Sequence, residues 1–380
     1  VSLEIRFFYC GNGDTILIRS ENDWGLIDCN LTKSSRAKDR ILATLADHNV
    51  QRLKFVCVTH YDADHLRGMA GLLRDKFSDD AGDSSGRRRW RIEQLIQPLP
   101  VRNTARGLAL MTESLKTINN SKIDLDFSVD ALSFLDLTKR MLQDGATQGD
   151  SDRVHMPPYI APSFLANAPP NAGRTLFGQF EVWFLAPEPS VAEEFEEEKF
   201  LPIYARLMKN PKALAKHVTE NSLSRVIAFR HIDTGHAILF SADAPTDSWP
   251  QIIRRWDECR PIGIGMGDIP RWKNFDVVKV SHHGAIDSHY PILFSDWMNR
   301  DKIAVITCLS EDPKHPHPDV LNHLSENGLR VETTGSLNRA QPKPTRGGLP
   351  GGRRVNATHE AADICVTLSG NDFTVSRTSV

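Results

Sequence analysis

The feature that most narrows what this chain can fold into is a ten-residue string. Directly after the apolar run Phe55–Val58 the sequence reads THYDADHLRG, which puts His60, Asp62, Asp64 and His65 within six positions. A buried strand that ends in such a loop, just before a helix, aims several ligand-type side chains at one place. Capping or surface roles suit single Asp or His residues, but carboxylates packed this closely repel one another unless a cation lies between them. Imidazole nitrogen combined with carboxylate oxygen suits Zn²⁺, Mn²⁺ or Fe, whereas an all-oxygen set suits Mg²⁺ or Ca²⁺. The expectation is a transition-metal site.

Periodicity around that string alternates between strand and helix. Residues 2–9 alternate apolar and polar, GNGD breaks the pattern, TILIRS resumes it and WGLIDCN closes a three-strand meander. Ile41, Leu42 and Leu45 recur at helical spacing, and a second helical pattern runs from Leu66 to Phe77. The polar stretch SDDAGDSSGRRRW then begins a region of weak periodicity, residues 78–175, read as an inserted cap. Strand character returns at Phe180–Leu185, and an acidic helical segment, AEEFEEEKF, follows. SRVIAFR and HAILFSAD resemble the arms of a hairpin, and VVKVS, KIAVITC and DVLNHLSENG continue as strand, strand and helix. The Pro-, Gly- and Arg-rich run inside 338–361 reads as a flexible loop. The order implies an α/β layered architecture in a single domain spanning 1–380.

Composition excludes little. The formal charge is −2, so nothing global announces a polyanionic partner, although a local basic groove is compatible with it. No apolar run reaches the length of a membrane span, so no membrane partner is expected. Cys10, Cys29, Cys57, Cys259, Cys308 and Cys365 lack CxxC spacing, which suggests a reducing, cytoplasmic setting.

HYDADH resembles the HxHxDH signature of the metallo-β-lactamase superfamily, with Asp62 where the second His usually stands. That HxDxDH form is similar to the cytoplasmic C-terminal domain of ComEC-type DNA-uptake proteins and their stand-alone relatives. Other segments agree in order: GNGDTILI with GQGDAxLI, GLIDCN with LIDxG, ILFSADAP with LLxGDA, VVKVSHHGAIDS with LKVxHHGSxxS, and HPHPDVLNHL with HPHPEVLxxL. The resemblance covers roughly residues 3–75 and 180–335 and the last strand. It implies a four-layer αββα metallo-β-lactamase-like sandwich with an inserted cap region. It also implies two divalent transition-metal ions, Zn or Mn: His60 and Asp62 on one, Asp64 and His65 on the second, Asp243 bridging, and His282 or His283 completing the second site. ENSLSRVIAF resembles the ComEC-type NxxS, so Asn221 lies near where many members place a further His. An amide oxygen is a weaker donor than imidazole.

Several residues keep two readings at this stage. Asp14 is either a turn residue of GNGD or a support of the site, and Asp28 is either a cap or a hydrogen-bond partner of a ligand His. His315 and His317, stiffened by Pro316 and Pro318, are either loop residues or donors of a proton to a leaving oxygen. Lys279, Arg67 and Ser288 are candidates for substrate contact, and Asp64 for orienting a nucleophile. Ser281, Ser288 and His289 suit positioning better than attack, because no Gly-x-Ser-x-Gly elbow is present. Arg87–Arg89 beside Trp90 is a solvated charge run or a phosphate and base contact. Two metals can activate a water and clamp the entering and leaving oxygens of a displacement at phosphorus. The functional expectation is therefore a metal-dependent phosphodiesterase or nuclease acting on DNA, RNA or a nucleotide, in DNA processing or antiphage defence. The alternatives are a metal-binding scaffold that meets a protein partner through the insertion, and a hydrolase of a small ester or cyclic nucleotide.

Overall fold

Strand parity dictates the layering. In β4 (Leu53–Cys57) the side chains of Phe55 and Cys57 face one way, while Val56, and Val58 just beyond, face the other. Both faces are covered, which is why the run is apolar at nearly every position. The computed structural model describes residues 2–32, 36–79, 89–96, 175–187, 221–258, 274–310, 312–337 and 360–380, with a few helical positions between 130 and 141.

The first seven-stranded sheet contains β1 (Ser2–Phe7), β2 (Ile16–Ser20), β3 (Asp23–Ile27), β4, β7 (Ile92–Ile96), β15 (Ala362–Ser369) and β16 (Asp372–Ser379), in the order β16-β15-β1-β2-β3-β4-β7. The second has seven strands as well: β8 (Thr175–Phe177), β9 (Phe180–Ala186), β10 (Val226–His231), β11 (Ala237–Phe240), β12 (Val277–Lys279), β13 (Ile303–Ile306) and β14 (Arg330–Thr333), in the order β14-β13-β12-β11-β10-β9-β8. A separate two-stranded ladder joins β5 (Ser78–Asp79) to β6 (Arg89–Trp90). The opening meander and the β10–β11 hairpin follow the sequence pattern, both antiparallel.

Three apolar clusters define four layers. Ile5, Phe7, Ile18 and Phe55 of the first sheet meet Phe229, Ile238, Phe240 and Val305 of the second in one continuous core. Aromatic contacts dock the sheets there: Phe55 lies 6.0 Å from Phe229 and Phe7 lies 6.3 Å from Phe240, ring centre to ring centre. On the outer face of the first sheet, α1 (Ala37–Asp47) buries Ile41 and Leu45, and α3 (Met69–Phe77) buries Leu72, Leu73 and Phe77. On the outer face of the second, α4 (Trp249–Glu258), α5 (Pro291–Asp296) and α6 (Pro318–Glu326) bury Trp249, Ile252, Trp256, Leu293, Val320 and Leu324. The protein is an αββα sandwich.

Strand Ile92–Ile96, inside the stretch read as an insertion, pairs parallel with β4 as the end strand of the first sheet. Phe134, Leu137 and Met141 pack into the outer cluster of the same sheet. Apart from these, the β5–β6 ladder, Thr175 and a few neighbouring positions, 78–175 lies outside the described residues, as does 338–359 of the expected flexible loop.

In each sheet the parallel strands end at a common edge. β3, β4 and β7 run together, as do β11, β12, β13 and β14. Carboxyl ends of parallel strands are where an α/β sheet opens toward ligands. At the opposite edge, Asp276 accepts hydrogen bonds from the Ala237 amide (3.0 Å), His236 Nδ1 (3.0 Å) and Lys302. Burial pushes its pKa up, but His236 and Lys302 override this and hold it below the usual carboxylate value. A lowered folded pKa gives stability that is complete above the unfolded value and lost as the pH falls through the folded one, so this contribution fades below about pH 4. Asp276→Asn is expected to lower stability by about 2 kcal/mol at neutral pH, read by denaturant unfolding, with a smaller deficit at pH 3. An equal deficit at both pH values would contradict the charged pairing.

Candidate metal centre

Each strand end at that edge delivers one part of a cluster. After β4 come Thr59 and His60, and the chain then turns into the short helix α2 (Ala63–Leu66), which carries Asp64 and His65. Half of the ligand-rich string is thus helical rather than loop. Asp28 follows β3, Asp243 follows β11, His282 and His283 follow β12, and Thr307 follows β13. Asp14 lies between β1 and β2, where its amide bonds to the Asp64 carbonyl (3.1 Å). Gly13 sits so close to this carbonyl that a Cβ would lie 2.4 Å from it, which explains the glycine in GNGD.

The cluster converges on one oxygen. Asp243 Oδ2 lies 3.8 Å from His60 Nε2, 3.5 Å from His65 Nε2, 3.9 Å from His282 Nε2 and 3.9 Å from His283 Nε2. His60 Nε2 is also 3.6 Å from Asp62 Oδ2, and His283 Nε2 is 3.5 Å from Asp64 Oδ2. Asp64, His65, Asp243 and His283 each offer a ligand atom, all within 4.8 Å of one another.

The far nitrogens of the same rings are tied down. His65 Nδ1 is 2.7 Å from Asp28 Oδ2, and Asp28 in turn accepts from the Thr59 amide (2.7 Å) and hydroxyl (2.6 Å). His283 Nδ1 donates to the Thr307 carbonyl at 2.7 Å. His282 Nδ1 lies 3.2 Å from Ser288 Oγ, and His60 Nδ1 lies 3.1 Å from Thr59 Oγ1. A proton on Nδ1 of His65 and His283 leaves the Nε2 lone pairs directed at Asp243, the tautomer a metal requires.

This donor set fits metal ions. His60 Nε2, His65 Nε2, His283 Nε2 and Asp243 Oδ1 are buried without a hydrogen-bond partner, and such atoms are costly to leave unsatisfied. The nitrogen–oxygen separations are long for hydrogen bonds, yet close to those of donors that each sit about 2 Å from a shared ion. Burial pushes the Asp243 carboxyl up, but His65, His283 and Lys279 hold it well below the usual range. Burial disfavours the charged imidazoles too, yet Asp243 and its neighbouring carboxylates raise both His65 and His283. Metal ions compete with those protons for the same nitrogens.

Backbone strain concentrates here. Asp28, Ala242, His282 and His283 all have φ between 46° and 55°, in the left-handed region that non-glycine residues rarely adopt. A strand would send adjacent side chains to opposite faces. The left-handed turn instead brings both tandem histidines to the same carboxylate. Gly284 extends the turn with φ 81°, and a Cβ there would lie 2.7 Å from Pro316 Cβ.

The remaining candidates lie around the cluster. His315 is half-buried, with its ring 5.6 Å from that of His282 and its Nδ1 unpartnered. His317 instead caps α6, its Nδ1 accepting from the Asp319 amide (3.2 Å). Lys279 is wholly buried, with Nζ 2.5 Å from Asp14 Oδ2 and 3.0 Å from the Ala242 carbonyl, so it faces the interior rather than an incoming substrate. Ser288 is buried behind His282. Ser281 donates to the Ala244 carbonyl, and His289 Nε2 meets His323 Nδ1 at 3.1 Å. Arg67 ends α2, its carbonyl accepting from the Leu31 amide. Asn221 opens a short 3-10 turn, and the Arg225 amide beyond it bonds to the Thr59 carbonyl, which brings this segment against the His60 loop. Arg87 and Arg88 lie outside the described residues, as do the side chains of Arg89 and Trp90. Thr59 and Thr307, which fix three of the rings, escaped the sequence reading. Thr59 is marked only as the first polar residue after an apolar strand, and nothing around Thr307 marks it.

No protein-family profile matches the chain, and no curated protein sequence does. Similar solved structures include the metallo-beta-lactamase fold protein YhfI from Bacillus subtilis, 12% identical over 88% of this chain and 96% of that one, with a TM-score of 0.39. A variant of CmlA beta-hydroxylase is 11% identical over 87% of this chain, which spans 52% of that protein's length, with a TM-score of 0.39. Unliganded yeast PDE1 is 11% identical over 88% of this chain and 97% of that one, with a TM-score of 0.38. The layers and strand orders described above, rather than these likenesses, define the fold.

Asp28→Ala removes the carboxylate that orients His65. It is expected to weaken Zn²⁺ or Mn²⁺ binding roughly 10–100-fold, measured by competition with a chromophoric chelator. Affinity equal to wild type would contradict the orienting role.

Proposed function

We propose that the protein is a two-metal hydrolase that cleaves phosphodiester bonds in DNA, RNA or a nucleotide. The observation that carries this reading is the convergence of four imidazole Nε2 atoms on the single oxygen Asp243 Oδ2. His60 and Asp62 would hold one ion and Asp64, His65 and His283 the other, with Asp243 between them and His282 beside them. Asn221 remains a candidate for a further weak ligand from its adjoining turn. When bound, such ions lower the pKa of a coordinated water and offset charge that develops on the oxygens at phosphorus.

The chain's own residues supply orientation. Asp62 and Asp64 are each about a third exposed and His282 about a quarter, so a substrate reaches the cluster from their side. Asp64 is the candidate to orient the attacking water. His315 lies on the same side through its contact with His282 and is the candidate proton donor to the leaving oxygen. His317 is committed to its helix cap, and this favours His315 for that role. Arg67 is the candidate phosphate contact from the end of α2. The carboxylate-rich donor set suits oxygen-rich substrates, and the ComEC-type motif order agrees with nucleic acid.

Metal-reconstituted protein is expected to cleave single-stranded or double-stranded nucleic acid, or a cyclic nucleotide, with Mn²⁺ or Zn²⁺. Asp64→Ala/His65→Ala is expected to lower the rate by roughly 1000-fold or more. Elemental analysis should give two ions per chain, falling in Asp243→Ala. Absence of cleavage with every substrate and both metals would overturn the hydrolytic reading, and unchanged metal content in Asp243→Ala would overturn the bridging role.

A further inference from the structure

Lys279 is the last residue of β12, in the run VVKVS. It shares the parity of Val277, which lies in the core between the two sheets, so its side chain enters the interior. A buried ammonium is unfavourable unless anionic or carbonyl oxygens surround it. Lys279 Nζ has Asp14 Oδ2 at 2.5 Å, the Ala242 carbonyl at 3.0 Å and Asp243 Oδ1 at 3.6 Å. Asp14 is itself fixed by the Thr307 hydroxyl at 2.5 Å. The Ala242 carbonyl reaches the ammonium because Ala242 adopts a left-handed backbone (φ 46°), and the same carbonyl accepts from the His282 amide at 3.0 Å.

The two oxygens of Asp243 therefore face different charges. Oδ2 is ringed by the four histidine nitrogens, and Oδ1 faces the ammonium. Rotation about the Asp243 side chain would exchange them, and nothing else described holds Oδ1, since it has no hydrogen-bond partner. We infer that Lys279 is a positioning residue: fixed by Asp14 and the Ala242 carbonyl, its ammonium draws Oδ1 inward and so presents Oδ2 alone to the metals. This rests on the reading of the cluster as a metal centre. It assigns Lys279 no contact with substrate.

Asp14→Asn/Lys279→Met tests it, because the pair of substitutions removes one charge of each sign and leaves the net charge of the cluster unchanged. Wild type and variant are titrated with Mn²⁺, and the electron paramagnetic resonance spectrum of the loaded pair is recorded beside the thermal melt of the metal-free protein. The expected result is a cooperative melt, Mn²⁺ binding weakened about tenfold or more at one or both sites, and an altered spin-coupled spectrum. Affinities within about twofold of wild type with an unchanged spectrum would overturn the inference. If the double variant does not melt cooperatively, Lys279→Arg carries the same readout, since its planar fork keeps the charge but moves the donor atoms. An altered spectrum then supports the role, and the wild-type spectrum overturns it. Wild-type protein that takes up no Mn²⁺ would overturn the metal reading beneath this one.

Discussion

The Asp243 carboxylate is almost wholly withdrawn from water, and burial of an ionised carboxylate is among the costliest placements a side chain can have. The cationic and imidazole groups around it offset that cost. Lys279 faces one oxygen, four imidazoles surround the other, and Asp28, Thr59, Thr307 and Ser288 anchor those imidazoles from behind. Five carboxylates, those of Asp14, Asp28, Asp62, Asp64 and Asp243, gather in this region. Two divalent ions together with the Lys279 ammonium would neutralise them, an electrostatic reason for a second ion that is independent of any catalytic requirement.

Much of this was legible in the sequence where ligands are dense and local. His60, Asp62, Asp64 and His65 fall within six residues, and the apolar strand before them shows where they are delivered. The layered α/β order followed from alternating periodicities. Legibility failed where meaning depends on a partner remote in sequence. A lysine before tandem histidines suits phosphate as well as an internal carboxylate, and only burial against Asp14, 265 positions earlier, separates the two. The choice between His282 and His283 rested on the assumption that a strand end presents one of them. Consecutive left-handed residues instead present both, with His283 buried beside Asp64 and His282 at the open side. His315 and His317 look equivalent in HPHP, yet the start of α6 takes the second as its cap. Strand Ile92–Ile96 lay hidden in a stretch of weak periodicity, because five residues give little pattern to read.

The tight conformations at the edge are affordable only because the scaffold is rigid. Left-handed backbone at Asp28, Ala242, His282 and His283 costs on the order of 1–3 kcal/mol per residue. Each of the four follows directly from, or lies within a few residues of, a strand that is hydrogen-bonded on both sides in the middle of its sheet.

The carboxyl-end edges of the two sheets supply the cluster jointly: the first brings Asp28, His60, Asp64 and His65, and the second brings Asp243, His282 and His283. While the chain is still emerging from the ribosome, residues up to about 75 can offer only half a cage, and the other half follows some 170 residues later. An ion that needs both halves would bind the completed chain in preference to a fragment. A bound ion would join side chains of both sheets and add to the stability of the folded chain in proportion to its affinity.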